Sequence, residues 1–434
     1  MSVVLDKTNW LTKALSDEQN FFAEHSWLQE LQLQQRLALM TRGLPTRKEE
    51  QWKYTDVTFI EKNDFHKITH QENATKLAVL SLQDKSIKLV FVDNTFSAEL
   101  SDVSLLPEEV ICCSLQKALS EYTELVKPYL SSSKDIKEFP FANLNLALLT
   151  DGLFLYVPKN VTMTVPVHLF FVNTVENSYS CPRNIIIAEQ GSKVTVFEEH
   201  SSAASNKYFT NAVTEMDVKS NAQVDYYKMQ NDAASGTHIA DVFIHQAQDS
   251  KVKTLSLALG SHVSRESMRV YLNERGAECS INGFYSTESD GQHIDNHIQI
   301  DHVAPYCTSA MVYKGVLNKK SRAVFNGKIY VYPDAQKTKS QQENHNLLLS
   351  PDAEVDTKPE FEIYADDVKC AHADTVGQLD AESLFYLRSR GIEKQTALKL
   401  LTRAFSDDVL NRVENKAVLQ HMYNSLNQKL AYES

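Results

Sequence analysis

The spacing of apolar residues changes twice along this chain, and the changes mark three regions. Near the start, Phe21, Trp27, Leu28, Leu31 and Ala38 fall at helical spacing. Ser16 followed by Gln19 reads as a capping box ahead of them, and Gly43 with Pro45 stops the helix. The charged, aromatic run RKEEQWKYTDV (47–57) has no clear period. Beyond it, KLVFVDN (88–94) and EVICCSL (109–115) read as strands. Residues 115–127 read as a helix that Pro128 ends, and SSSKD (131–135) as a surface linker.

From about 151 to about 375, strand-like runs rich in Val, Ile, Tyr and Phe alternate with short polar turns. A small or charged cluster followed by a strand recurs, and its equivalent residues are Val194, Val224, Val252, Cys279, Val324 and Val355. These lie 30, 28, 27, 45 and 31 positions apart. A period near 30 in strands predicts a β-solenoid, whose stacked coils bury a shared interior, with an insertion in the long step. The alternative, an antiparallel sandwich, calls for more Asn-Gly and Asp-Gly hairpin turns than the few present, such as Asn282-Gly283 and Asn326-Gly327.

After Asp380 the period is helical again. Asp380 is the predicted cap of AESLFYLRSR, which ends at Gly391. A second helix over 393–405 places Ala397, Leu400, Leu401 and Ala404 on one face. A third begins near Ser406 and carries Val409, Leu410, Val413, Leu419, Met422 and Leu426. The pattern leaves open whether these helices cap an open solenoid end or offer a groove to a partner. The resulting division is 1–150, helical and mixed; 151–378, the solenoid core; and 379–434, helical.

Composition narrows the function classes. The chain has 434 residues, 42% hydrophobic and 23% charged, as ordinary globular proteins do. A net charge of −12 and the lack of any Lys/Arg stripe argue against nucleic-acid binding. No GxxxxGK[ST], GxGxxG, GxSxG or HExxH motif occurs, so direct ATP binding through a phosphate loop is not expected. The six cysteines form no CxxC pair, which suits free thiols in a reducing compartment. The start lacks a signal-peptide pattern, and the densest apolar run, 165–172, is strand-sized. A cytoplasmic location is the expectation.

Two clusters have metal-ligand chemistry. Cys370 and His372 are two residues apart, so on a strand both side chains share a face and suit a soft or borderline metal. The alternative makes Cys370 a small buried apolar residue and His372 a hydrogen-bonded surface residue. In GQHIDNHIQIDH (291–302), His293, Asp295 and His297 share a face by the same rule, with Asp301 joining if the strand continues. They form either a mononuclear metal site or a polar ladder on a solvated face. Glu360 and Glu362 share a face opposite Phe361 and Ile363, whereas Asp366 and Asp367 point apart. A glycosidase-type carboxylate pair, as in a polysaccharide-active β-helix enzyme, would have to come from different coils.

The join between the second and third regions, NHNLLLSPDAEVDTKPEFEIYADDVKCAHADTVGQLDAESLFYLRSRGI, resembles the signature of the SufB/SufD family of iron–sulfur assembly scaffolds. The likeness extends upstream through DNHIQIDHVAPYCTSAMVYKGVLNKKSRAVFNGKIYV and AQKTKSQQ, and GLPTRKEEQWKYTDV resembles the SufD entry to the core. Length, this N-terminal element and the Cys-x-His favour the SufD branch. The resemblance implies a mainly β fold, a right-handed parallel β-helix between N-terminal and C-terminal α-helical domains. It implies a non-catalytic scaffold bound to a SufB-type subunit at the β-helix end and to a SufC-type ATPase on the C-terminal helices. An open strand edge leaves room for a homodimer when the scaffold partner is missing. His372 is then a ligand for a transient Fe–S cluster shared with a SufB cysteine, and Cys370 lies close by. The family's usual Gly-Ala after the histidine is replaced here by Ala373 and Asp374, which adds Asp374 as an oxygen ligand candidate.

Overall fold

Parallel strands dominate because the central region alternates inward and outward side chains while the chain crosses between two facing sheets at every turn. The computed structural model describes residues 9–17, 24–68, 85–131, 137–203 and 207–430. One sheet runs from Ile111–Ser114 through Leu153–Val157, Arg183–Ala188, Phe209–Val218, Thr237–Gln246, Val263–Leu272, His293–His302 and Arg322–Val331 to Glu354–Ile363. The second runs from Thr95–Phe96 and Ile87–Val92 through Val167–Asn173, Lys193–Ser202, Gln223–Asn231, Lys251–Ala258, Glu278–Thr287, Thr308–Leu317 and Lys339–Leu348 to Lys369–Gly377. Together they form a β-solenoid of about 7 turns, and the fold is mainly β with helices at both chain ends.

The predicted repeat is real, and its register extends further than the pattern suggested. Val194, Val224, Val252 and Cys279 stack in one row of the second sheet. That row continues through Ser309 and Ser340 to Cys370. The 45-residue step therefore holds no insertion. Val324 and Val355 belong to the first sheet, where Val355 pairs with Ala323. A serine at the row position concealed the strand Thr308–Leu317, because the apolar signal used to find the repeat is absent there.

The interior of the coils is apolar at Val196, Tyr226, Met216, Ile244, Met268, Ile298 and Ile329. In neighbouring strands Gly283 opposes Tyr313 and Tyr285 opposes Gly315, so each large ring fills the space its glycine leaves. The two glycines are thus set by side-chain volume. Sheet formation starts well before residue 151: Ile87–Val92 pairs with Val167–Asn173, and Ile111–Ser114 with Leu153–Val157.

The N-terminal helices pack on the outer face of the first sheet, where Trp10, Leu39, Trp52, Phe141 and Leu144 meet Phe209 and Ile239. Ser16 ends a helix, Trp10–Ser16, rather than capping one; its cap is Asn9, whose Oδ1 accepts from Thr12 N at 2.8 Å. The following helix is Ser26–Arg42, closed by Gly43 at φ 75°. Gln19 and Phe21 lie outside the described residues. The helix predicted over 115–127 is broken at Tyr122 into Leu115–Glu121 and Thr123–Ser131, and Pro128 lies inside the second piece. Because that piece starts at Thr123, the ring removes only one intrahelical bond, to the Glu124 carbonyl. Of the predicted linker only Ser131 is described, and it closes this helix.

At the C-terminus Asp380 caps Ala381–Ser389 by accepting from Ser383 N at 2.9 Å, and Gly391 follows at φ 82°. The second helix, Lys394–Leu410, runs through Ser406, which is buried and donates to Arg403 O at 2.8 Å. The third starts later, at the Asn415 cap, and spans Lys416–Lys429. Leu400 and Ala404 are exposed, while Ala397, Thr402, Ser406, Val409 and Leu410 form the buried face. The reason is the surface they cover. Val409, Leu410, Val418, Met422 and Leu426 pack on Phe197, Tyr227, Leu255, Leu257 and Phe284 of the second sheet's outer face. None of these helices lies in the row beyond the last strands, so Glu354–Ile363 and Lys369–Gly377 end their sheets as free edges. No described helix is long and apolar enough to cross a membrane.

Candidate functional site

The last coil carries the Cys/His pair. Lys369 N donates to Thr338 O at 2.9 Å, so the odd-numbered residues of Lys369–Gly377 bond inward to the neighbouring strand. By alternation Cys370, His372 and Asp374 offer their backbone polar groups to the open edge. Their side chains face the space between the sheets. Cys370 packs against the interior apolar cluster. The His372 ring meets Phe361 of the opposite sheet, centroids 5.0 Å apart at 61°. The Asp374 carboxylate accepts a hydrogen bond from Thr357 Oγ1. The three side chains therefore share one face at the mouth of the solenoid, as spacing predicted for Cys370 and His372.

Exposure grades along this strand. Cys370 is half-buried, and His372 and Asp374 are exposed. Burial raises the Cys370 thiol pKa, an effect the Ser340 backbone N–H partly opposes. The protonated thiol is thereby favoured. Among the described residues no group of three His, Cys, Asp or Glu is arranged to hold a metal. A thiol, an imidazole and a carboxylate thus lie on one face at this mouth.

His293, Asp295 and His297 also share a face, but it is the outer one and it is covered. Asp295 Oδ2 accepts from Arg265 Nη1 at 2.5 Å and from Thr55 Oγ1 at 2.5 Å. Its Oδ1 lies 3.0 Å from His297 Nε2, and His293 Nε2 lies 2.8 Å from Thr55 Oγ1. Burial opposes the charge on Asp295, but Arg265 and His297 outweigh it and hold the carboxyl well below its usual range. Arg265 also stacks 3.9 Å from the Trp52 ring and donates to Gln51 O at 2.9 Å. This cluster locks the 47–57 segment onto the first sheet. The aperiodic run is a strap, and its Trp52 and Thr55 were the signal for it. Asp301 does continue the row, yet its carboxylate is held by Arg269 Nε at 2.8 Å.

The other carboxylates are also engaged. Lys328 Nζ lies 2.6 Å from Glu362 and 3.6 Å from Glu360, and Asp367 pairs with Lys337. Sequence reasoning missed Phe361 and Thr357 as neighbours of the site, because they belong to the opposite sheet. It also missed two exposed aromatics on the first C-terminal helix, Phe385 (74% exposed) and Tyr386 (57%).

A mainly β solenoid of stacked coils, with Cys370, His372 and Asp374 together at its open end, is the class of protein that the fold defines. Residues 170–405 match the family model described as SUF system FeS cluster assembly, SufBD core domain. Residues 12–169 match the SufBD protein N-terminal region. The chain is 32% identical over 384 residues to an iron-sulfur cluster assembly SufBD family protein of Synechocystis sp., covering 85% of this chain and 84% of that protein. It is 30% identical over 425 residues to the iron-sulfur cluster assembly protein SufD of Escherichia coli, covering 96% of this chain and 97% of that protein. With SufD of Bacillus subtilis the figures are 28% over 432 residues, 94% and 95%. The chain belongs to the SufBD family.

Proposed function

We propose that this chain is a SufD-like, non-catalytic scaffold subunit that works in iron–sulfur cluster assembly in the cytoplasm. The observation that carries the reading is the open last coil, where Cys370, His372 and Asp374 face the interior and their backbone groups face the edge. A SufB-type scaffold pairing along this edge would close the mouth over the three donors and bring the missing ligands. Iron and sulfide are cargo here. His372 supplies a ring nitrogen, Cys370 a thiol that loses its proton as metal binds, and Asp374 a carboxylate once released from Thr357. Phe361 packs against the imidazole, ring centroids 5.0 Å apart.

Energy for the process would come from a separate SufC-type ATPase, since this chain has no phosphate-binding loop. The C-terminal helices offer it a surface: Phe385, Tyr386 and Leu400 are exposed beside Arg388, Arg390 and Lys394. The deciding experiment co-expresses the chain with the partner scaffold and the ATPase and reconstitutes the complex anaerobically. Wild type yields cluster, and His372→Ala lowers the yield at least several-fold. Equal yield removes His372 from the site, and failure of the three chains to assemble sinks the function.

A further inference from the structure

Two carboxylate–imidazole pairs meet inside the solenoid, well away from its mouth. Glu198 and His200 point inward with Val196 from the second sheet, and His238 points inward with Val242 from the first. Glu198 Oε1 accepts from His200 Nε2 at 2.7 Å. Its Oε2 accepts from Tyr226 Oη at 2.8 Å, Thr214 Oγ1 at 2.9 Å and Asn184 Nδ2 at 3.0 Å. Asp232 accepts from Tyr208 Oη and Gln230 Nε2, each at 2.8 Å. His238 Nδ1 lies 3.0 Å from Asp232 Oδ2, off the line of a full hydrogen bond. Carboxyl groups that only accept are held as anions. Glu198, His200, Asp232 and His238 are each at most 1% exposed.

A carboxylate beside one ring nitrogen places the proton on that nitrogen. The opposite nitrogens, Nδ1 of His200 and Nε2 of His238, are then bare, and neither has a hydrogen-bond partner among the described residues. Buried nitrogens are rarely left so. The two ring centroids lie 4.7 Å apart at 81°. Two imidazoles on one tetrahedral ion, with bonds of about 2 Å, have centroids about 5 Å apart. His200 is also stacked on Phe171, centroids 4.9 Å apart at 15°, so its ring is already oriented. Charge points the same way. The interior ammonium of Lys228 lies 3.0 Å from Glu266, which takes up its charge. Lys429, on the last helix, is a further ammonium that interacts with Asp232, and burial disfavours its charge. Two buried carboxylates so weakly compensated favour a cation between them.

We infer that His200 and His238 bind one borderline divalent cation, of the kind of Fe2+, Co2+ or Zn2+, inside the solenoid, with Glu198 and Asp232 behind the rings. A carboxylate behind an imidazole fixes the tautomer of a histidine ligand and raises its basicity. The carboxylates engage the far nitrogens rather than the ion, so the protein supplies two ligands and not a group of three. Water takes the remaining positions, with the Thr210 hydroxyl as a further oxygen on the inward row beside His238. The last coil is a separate place. The inward row of His200 passes Gln230, Ala258, Tyr285, Gly315 and Asn346 before it reaches Val376. The site stands whether or not the chain works in cluster assembly.

The test titrates the full chain, stripped of metal by a chelator, with Co2+ alone and follows visible absorption. One equivalent is expected to bind and to be displaced by Zn2+. His200→Gln and His238→Gln should each weaken binding about tenfold or more, and Glu198→Gln, which removes only the charge behind the ring, comparably. His372→Ala and Cys370→Ala should leave it unchanged. X-ray absorption of the wild-type cobalt complex should show imidazole nitrogen and no sulfur around the ion, which judges the site even where a histidine variant does not fold. Absence of a one-to-one complex overturns the inference, and so does unchanged affinity in folded His200→Gln and His238→Gln. Sulfur around the ion, or binding lost on His372→Ala, overturns it as well.

Discussion

His372 and Phe361 form an edge-to-face ring contact, centroids 5.0 Å apart, across the mouth of the solenoid. One residue comes from each sheet, so this contact exists only when the last coil is complete. Phe361→Leu keeps the apolar packing and removes the ring. It is expected to change stability by under about 1.5 kcal/mol but to lower the iron retained by the reconstituted complex. Thermal melting and iron analysis separate the two effects; unchanged iron would make Phe361 a packing residue only.

The Asp295 carboxylate is the only anion within hydrogen-bond reach of Arg265 among the interactions described. Asp295→Ala leaves that guanidinium buried and unpaired and releases Thr55. The expected loss is about 3–5 kcal/mol in urea unfolding. Metal content of the purified chain should not change, and a drop in bound metal on this substitution would restore the metal reading of the cluster.

Burial lowers the His302 pKa to about 4, against about 6.5 in an unfolded chain. The unfolded state therefore takes up this proton first. The stability tied to neutral His302 is fully present above about pH 6.5 and is lost as the pH falls towards 4, by up to about 1.4 kcal/mol per unit. Its Nε2 lies 2.8 Å from Ser309 Oγ, a bond a glutamine can replace. Urea midpoints measured from pH 7 to 4.5 should fall less steeply for His302→Gln, and parallel curves would refute the assignment.

A Cβ placed on Gly283 would lie 2.1 Å from Cε1 of Tyr313, a fully buried ring with neighbours on every side. Gly283→Ala is expected to destabilise by about 1–3 kcal/mol. Tyr313→Leu in the same chain should recover part of the loss, because the smaller side chain frees the space. A simple sum of the two single effects in calorimetry would mean that the residues do not compete for it.

Two periods in the sequence determined most of the architecture. Alternation at two residues decided which side chains face inward, and it put Cys370, His372 and Asp374 on one face. The repeat near 30 decided that strands stack in coils, since each coil can bury its apolar row only against the next. Both signals are local and survive without knowledge of neighbours. The terminal helices were less legible, because the face each buries depends on the sheet beneath it. Leu400 is apolar yet exposed, and Ser406 is polar yet buried. The Thr308–Leu317 strand was hidden where a serine replaced the repeat's apolar residue. His293, Asp295 and His297 were correctly placed on one face, but only the fold brought Arg265 and Thr55 to them and made them a clasp. The tertiary structure also decided that the helices lie along the side of the solenoid and leave its last coil open. That outcome turns on long-range packing against Phe197, Tyr227 and Phe284, contacts between residues far apart in the chain that no local pattern contains.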